Sequence, residues 1–433
     1  MENKTFPGRR RFLQQTVLTG GLMFLPAANL QSCFTSGKKQ KPTILIVSGW
    51  QDVNIGDIAH TPGLLYILQK NLPGSHLILW KMSFSDEVAG MLRTNFPDVQ
   101  IVYGGVNKND EAEAEDVLKA FEKSDIMIHG SGPSVVGEKC LRAWVKKTDK
   151  PFGIFGTTIQ GMNADLKELL KKTSFIYTRE TASLKVLEAE GFTGTHISFA
   201  PDATFYLNIL DEVRAIRFLD DHGLEEGKYI CAIPRLRYTP YHQFKEVSWN
   251  EAKIKEVEET NERYKEEDHA KLREAIITWV RETGHKVLIC PEMTYEVDIM
   301  DELLIDPLPE DVKSFVVKRG YWLPDEAASV YKRAFALLSF ECHSPIIALA
   351  NGTFAFYLRQ PQDTIKGQMY YDLGFEDWVF EIEGSTGANI SDTLMSVFND
   401  PGSGKQMIDG SFSKIHSIYT KSCKLIADLM SNP

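Results

Sequence analysis

The stretch "TILIVSGW", Thr43–Trp50, opens with a short continuous apolar run, and the chain repeats such runs again and again. "LILWKMS", "VQIVYGG", "SDIMIHGSG", "PFGIFGTT", "SFIYTRE" and "THISFAPD" follow in order, separated by amphipathic stretches such as "LLYILQK". Short continuous apolar runs suit strands buried on both faces of a parallel sheet. Strands that alternate with helices over this length predict an α/β protein with a doubly wound parallel sheet.

The pattern restarts at "KYICAIPR", Lys228–Arg235. A long charged helix follows, "NEAKIKEVEETNERYKEEDHAKLREAIITWVRETG". Its first half reads as a solvated face, while Ile276, Trp279 and Val280 carry the buried stripe. "HKVLICPE", "KSFVVKRG", "AFALLSFECH" and "GTFAFYLR" complete a second unit, and the chain from about Ser385 reads as helical and packs back. The expected division is an export signal and tether at 1–41, Rossmann-like domains at 42–222 and 223–384, and a C-terminal helical segment at 385–433. Two doubly wound domains place a site between them, at the carboxyl ends of their strands.

The head of the chain, "RRRFLQQTVLTGGLMFLPAANLQSC", orders basic, apolar and small residues as an export signal does. Its apolar run is shorter than the roughly 20 residues a membrane-spanning helix needs. Arg9-Arg10-x-Phe12-Leu13 resembles a twin-arginine signal, and Leu30-Gln31-Ser32-Cys33 resembles a bacterial lipobox. These imply an exported protein, periplasmic or membrane-anchored, lipidated at Cys33. The formal net charge of −11 leaves no general nucleic-acid footprint, so no nucleic-acid partner is expected. Cys140, Cys231, Cys290, Cys342 and Cys423 are scattered without metal-binding spacing, and no metal is expected; Cys231 and Cys290 sit in strand-like runs as small hydrophobes.

Polar residues gather where strands end. In "NIGD", Asn54, Gly56 and Asp57 follow the first strand; Gly56 allows close backbone approach, and the next helix offers its N-terminus to an anion. Gly130 and Gly132 in "HGSGPS" repeat that arrangement. Arg179 in "TRETASLKVL" and Arg235 in "CAIPRLR" put cations at strand ends, suited to phosphate or carboxylate. Arg179 reads equally as the ion-pair partner of Glu180 or Asp202. "SFECHSPIIALANG" sets Glu341 and His343 two apart on a strand, so that they share a face. A carboxylate beside the imidazole makes it a better acid–base candidate. Lys366 in "TIKGQMYYDLG" adds a cation beyond the next strand, and Trp322, Tyr357, Tyr370 and Tyr371 are rings that could stack on a sugar or pack in the core.

"NIGD", "SDIMIHGSG", "GIFGTTIQG", "YTRETASLKVL", "APDATF", "ECHSPIIALANG" and "TIKGQMYYDLG" occur in an order and spacing that resembles the polysaccharide pyruvyl transferase family, over about residues 43–385. The resemblance implies a fold like the GT-B glycosyltransferases, two Rossmann-like domains around a cleft, without metal or cofactor. It also implies transfer of the pyruvyl unit of phosphoenolpyruvate to two hydroxyls of a glycan or glycolipid acceptor. Mapped by motif, it gives Arg179 the donor anion, His343 the role of acid and Lys366 the phosphate. The family's R-L-H reads E-C-H here, with Glu341 where the arginine stands. That exchange leaves two alternatives in view: an exported glycan-binding lipoprotein without phosphoenolpyruvate-dependent catalysis, and a hydrolase using Glu341 and His343.

Overall fold

The computed structural model describes residues 41–431; the export segment and Cys33 lie outside them. The first set of apolar runs forms β1 (Thr43–Ser48), β2 (His76–Lys81), β3 (Gln100–Tyr103), β4 (Ile126–His129), β5 (Phe152–Thr157), β6 (Phe175–Thr178) and β7 (Ile197–Phe199). They make one parallel sheet in the order β3-β2-β1-β4-β5-β6-β7. The second set forms β8 (Tyr229–Ile233), β9 (Lys286–Ile289), β10 (Val316–Lys318), β11 (Ala336–Ser339), β12 (Phe354–Arg359) and β13 (Val379–Glu381). These are also parallel, in the order β10-β9-β8-β11-β12-β13. The runs lack polar alternation because helices cover both faces: Ile44–Val47, Ile126–Ile128, Ile230–Ile233 and Leu337–Leu338 are all fully buried.

In each sheet the strand order reverses once, between β1 and β4 and between β8 and β11. Loops leaving neighbouring strands diverge at such a point and open a crevice at their carboxyl ends. The loop after β1 meets the loop after β9 through the main chain: Ile55 N–H donates to Glu292 O at 2.9 Å and Thr294 N–H to Val53 O at 3.0 Å. This contact fixes the helix α1 (Ile55–Asn71) against the second sheet's loops.

The long helix, Glu251–Thr283, buries Ile276, Trp279 and Val280 as expected, but its buried stripe runs back through Arg273, Leu272, His269, Asp268 and Asn261 to Val257. The reading of a solvated first half therefore fails in part. Asn261 holds the main chain of Tyr238 at 2.8 Å in both directions, and Asp268 pairs with Arg237 at 2.9 and 3.0 Å. Polar side chains are buried here because they bind the loop after β8. Two helices, Gly387–Asn399 and Pro401–Ser431, end the chain. From the second, the Tyr419 hydroxyl donates to Asp202 O at 2.7 Å, beneath the loop that follows β7. Among the described residues, no helix is long and apolar enough to cross a membrane, and five cysteines are buried thiols.

Candidate active site

His60 sits on α1, fully buried, six residues beyond the N-cap Asn54. His343 opens the helix His343–Ala350, just after β11. The two Nε2 atoms lie 3.0 Å apart. Asp202, after β7, places Oδ2 3.3 Å from His60 Nε2 and 3.8 Å from His343 Nε2. Arg179, after β6, donates to the same Asp202 oxygen at 2.7 Å and stands 3.5 Å from His343 Nε2. Behind the ring, Glu292, after β9, puts Oε1 3.3 Å from His343 Nδ1 and accepts Ser344 N–H on Oε2 at 2.6 Å. Elements of both sheets thus converge on one imidazole.

The electrostatics follow from that convergence. Burial works against a charge on His343, but Cys342, Asp202 and Glu292 outweigh it and hold the pKa well above its ordinary value. Burial would likewise raise Glu292 and Asp202. Hydrogen bonds from His343 and Ser344 hold Glu292 below the carboxylate range, and His60, His343 and Arg179 hold Asp202 far below it. Glu180, whose oxygens accept from Thr158 at 3.0 Å and from Ser183, is pushed up by burial to about 7 against the pull of Arg179.

Glycine makes this packing possible at two points on α1. A Cβ on Gly56 would stand 2.4 Å from the His343 ring, and one on Gly63 would stand 2.1 Å from Ala203 O. The helix can approach His343 and the Asp202 loop only because both are absent. The amides at its start are already engaged: Asn54 Oδ1 accepts Gly56 N–H at 2.7 Å and Asp57 N–H at 3.1 Å. The anion cradle expected at Asn54, Gly56 and Asp57 is thus filled by the protein's own cap. Gly130 and Gly132 serve close packing as well, since a Cβ would meet Ser48 Oγ at 2.9 Å or Trp50 Nε1 at 3.0 Å.

Glu341 and His343 do not share a strand. β11 ends at Ser339 and His343 is already helical, so the two-residue period of a strand does not apply. Glu341 instead lies 2.9 Å from Arg235 Nε, a charge contact without hydrogen-bond alignment. Burial raises its pKa while Arg235 pulls it down. Arg235 also reaches Asp363 at 2.7 Å, and Lys366 reaches the same Asp363 oxygen at 2.8 Å. No hydrogen bond or ion pair joins Glu341 to His343, so the acid–base pair expected for a hydrolase is not formed. Arg235, Glu341, Asp363 and Lys366 are a second cluster, two cations against two carboxyls. Trp322, Tyr357 and Tyr370 are buried packing residues, with Tyr357 and Tyr370 stacked at 4.8 Å, and the Tyr371 hydroxyl bonds Glu381.

His60, Asp202, Glu292 and Glu180 escaped the sequence reading as site residues. Asp202 lies inside "APDATF" and Glu292 closes "VLICPE", so both carried the strand-end signal that singled out Arg179. His60 carried none, because a histidine within a helix acquires meaning only from what the helix packs against. His60, Asp202 and His343 could each offer a metal one ligand atom, the three lying within 4.8 Å of one another. The Arg179 guanidinium, bonded to the Asp202 oxygen such an ion would use, makes this donor set better suited to holding a proton than a divalent cation.

Two doubly wound parallel sheets, facing a buried histidine–carboxylate–arginine network at their strand ends, define a two-lobed α/β protein with a buried ionisable cluster between the sheets. A model of the family described as polysaccharide pyruvyl transferase matches residues 54–359, and the chain belongs to that family. Comparison with curated protein sequences gives no match. Among solved structures, the chain is similar to the UDP-GlcNAc 2-epimerase of Neisseria meningitidis bound to UDP-GlcNAc, with 12% identity, TM-score 0.56, and coverage of 90% of this chain and 100% of that one. It is also similar to HepE from Anabaena in complex with UDP and glucose, with 11% identity, TM-score 0.55 and coverage of 90% and 100%. The UDP-N-acetylglucosamine 2-epimerase of Rickettsia bellii gives 10% identity, TM-score 0.54 and coverage of 90% and 97%. At such identities the likeness shows the fold.

Proposed function

We propose that the protein transfers the pyruvyl unit of phosphoenolpyruvate to two hydroxyls of one sugar in a cell-envelope or extracellular glycan. The observation that carries this reading is His343, buried beside Glu292 and Asp202 with a raised pKa at the carboxyl ends of both sheets. A histidine kept protonated is the acid this chemistry requires. As one sugar hydroxyl adds to C2 of the donor, the methylene carbon takes a proton and becomes methyl; a second hydroxyl then displaces phosphate and closes the ketal. General acid catalysis contributes about 10²–10⁴-fold. The test is phosphate release from phosphoenolpyruvate in the presence of a glycan panel. The expected result is turnover that His343→Ala lowers by at least about 100-fold; no release with any acceptor overturns the reading.

One observation supports a second reading, a glycan-binding protein that retains the cleft without using the donor. Arg179 is paired with Asp202, Arg235 with Glu341 and Asp363, and Lys366 with Asp363. A trianionic donor would have to compete with these carboxylates for each cation. Calorimetry separates the readings: donor binding supports transfer, whereas glycan binding that ignores phosphoenolpyruvate and survives His343→Ala supports the binding protein.

The proposal extends to location. The basic and apolar head ending at Cys33 supports an exported, lipid-anchored protein. Mass spectrometry of the native N-terminus decides it: a diacylglyceryl-modified Cys33 as the first residue is expected, and an unprocessed Met1 overturns it. The outcome also bears on the donor, because phosphoenolpyruvate is a cytoplasmic metabolite.

A further inference from the structure

Three of the six large apolar side chains exposed among the described residues stand on one rim: Met82 at 36%, Val136 at 46% and Phe84 at 64% exposure. All three lie just beyond strand carboxyl ends of the first sheet, Met82 and Phe84 after β2 and Val136 after β4. The rim is continuous. Met82 N–H donates to Ser48 O at 3.2 Å and Ser83 N–H to Gly49 O at 2.9 Å, laying that loop beside Trp50. Met82 Sδ lies 3.4 Å from Cys140 Sγ, and the Trp50 ring stacks on His129 at 4.7 Å with its Nε1–H on Ser131 O at 2.6 Å. Phe84 meets Tyr103 edge-on, with ring centroids 5.2 Å apart.

A second observation comes from the polar atoms of the same loops. Gln51 Oε1, Asp52 Oδ2 and the Tyr103 hydroxyl are buried without a hydrogen-bond partner. Such atoms normally find one, because a buried polar atom left unpaired keeps its desolvation cost without a hydrogen bond to offset it. Two of the three are pure acceptors, so they call for a ligand that donates. The exposed Phe84 ring, with the half-buried Trp50 and these unpaired acceptors in the neighbouring loop, describes a surface for a molecule with apolar C–H faces and hydroxyls at its edge.

We propose that this rim is the subsite for a neutral pyranose of the acceptor glycan, its ring laid against Phe84 and Trp50 and its hydroxyls donating to Gln51 and Asp52. The inference rests on the transfer reading for its purpose and on the rim for its place. Charge selects a neutral sugar. Asp52 belongs to the rim loop and Asp57 is bonded to Gln51 behind it, while the cation in contact, Lys81, is buried and already bonded to Asp52 at 2.6 Å. A uronic or sialic acid would bring a third carboxylate to that pair. The rim also leads to the acid, since Gln51 Nε2 donates to Asp57, Asp57 lies 3.9 Å from His60, and His60 lies 3.0 Å from His343.

The test uses the full-length protein, fluorescently labelled, on a printed array of neutral and uronic- or sialic-acid-containing oligosaccharides. Binding to neutral members is expected, weakened at least tenfold by Phe84→Ala and by Asp52→Asn and unchanged by Val213→Ala on an exposed helix face remote in sequence. Phe84 is exposed, so its truncation leaves the fold intact, and an unchanged near-UV circular dichroism spectrum verifies this. Absence of glycan binding, preference for the anionic members, or affinity unchanged in both rim variants overturns the subsite. Parallel phosphate release separates the two claims. Glycan bound at the rim without phosphate release keeps the subsite and rejects transfer; release with unaltered KM in Phe84→Ala keeps transfer and rejects the subsite.

Discussion

His60 Nε2 and His343 Nε2 face each other at 3.0 Å, with Asp202 Oδ2 within 3.8 Å of both. Two imidazole nitrogens at that separation hold one proton between them. Glu292 faces His343 Nδ1, so His343 is the ring whose charge the carboxylates favour, and His60 is its hydrogen-bond partner. His60→Ala should therefore leave the fold in place while lowering kcat at least tenfold. His60→Gln, which still offers an acceptor, should recover part of the loss. Equal kcat in both variants and wild type would remove His60 from the proton network.

Glu292 serves as both partner and cap. Glu292→Gln keeps an acceptor for Ser344 N–H but removes the charge that favours protonated His343. The alkaline limb of the rate profile, or the imidazole resonance followed by NMR, should titrate at lower pH in Glu292→Gln than in wild type. A profile that does not move would mean that Asp202 alone sets the charge of His343.

Gly56→Ala places a methyl 2.4 Å from the His343 ring. Overpacking of this kind costs about 1–3 kcal/mol. Since the ring must shift to relieve it, activity should fall further than stability does. Thermal unfolding and kcat measured on the same preparation check this; a stable, fully active Gly56→Ala protein would show that the ring has room.

Glu341→Arg tests the second cluster. Replacing the carboxylate by a third cation beside Arg235 and Lys366 leaves only Asp363 to balance them. Breaking a buried pair in this way costs about 3–5 kcal/mol, so denaturant titration should show marked destabilisation. Glu341→Gln, which keeps the shape, should lose less. Wild-type stability in Glu341→Arg would mean that the cluster opens to solvent.

His129 and His269 are buried as neutral rings, each pushed down by desolvation to about 4. His129 Nε2 accepts Gly137 N–H at 2.9 Å, a bond that protonation removes. A folded pKa below the unfolded value of about 6.5 means that the unfolded chain binds more protons between the two values. Stability therefore rises with pH across that window and is lost as pH falls through it. Glu180, raised by burial to about 7, works the other way between about 4.5 and 7, as do Glu296, Glu341 and Asp325, which burial also raises, so the contribution of His129 is read by difference between variant and wild type. Between pH 6 and pH 4.5 the melting temperature of His129→Gln should fall less, relative to its own value at pH 6, than that of wild type; parallel profiles would mean that His129 does not titrate in that window.

The sequence by itself determined the strands, the restart of the pattern at Lys228, and the crowding of Asn54, Arg179, Arg235 and His343 at strand ends. These are local properties: an apolar run declares a buried strand within six residues, and polar residues just past it lie at the sheet's carboxyl edge wherever that edge points. Only the tertiary structure decided partners. His60 and His343 are 283 residues apart, and Glu292 and His343 are 51 apart. The proximity of Glu341 to His343 along the chain suggested an acid–base pair. The chain turns from strand to helix between them, and Arg235, 106 positions earlier by residue number (341 − 235), holds the glutamate instead. Hydrophobic period is written in neighbouring residues, but an ion pair is decided by which loops two sheets bring face to face.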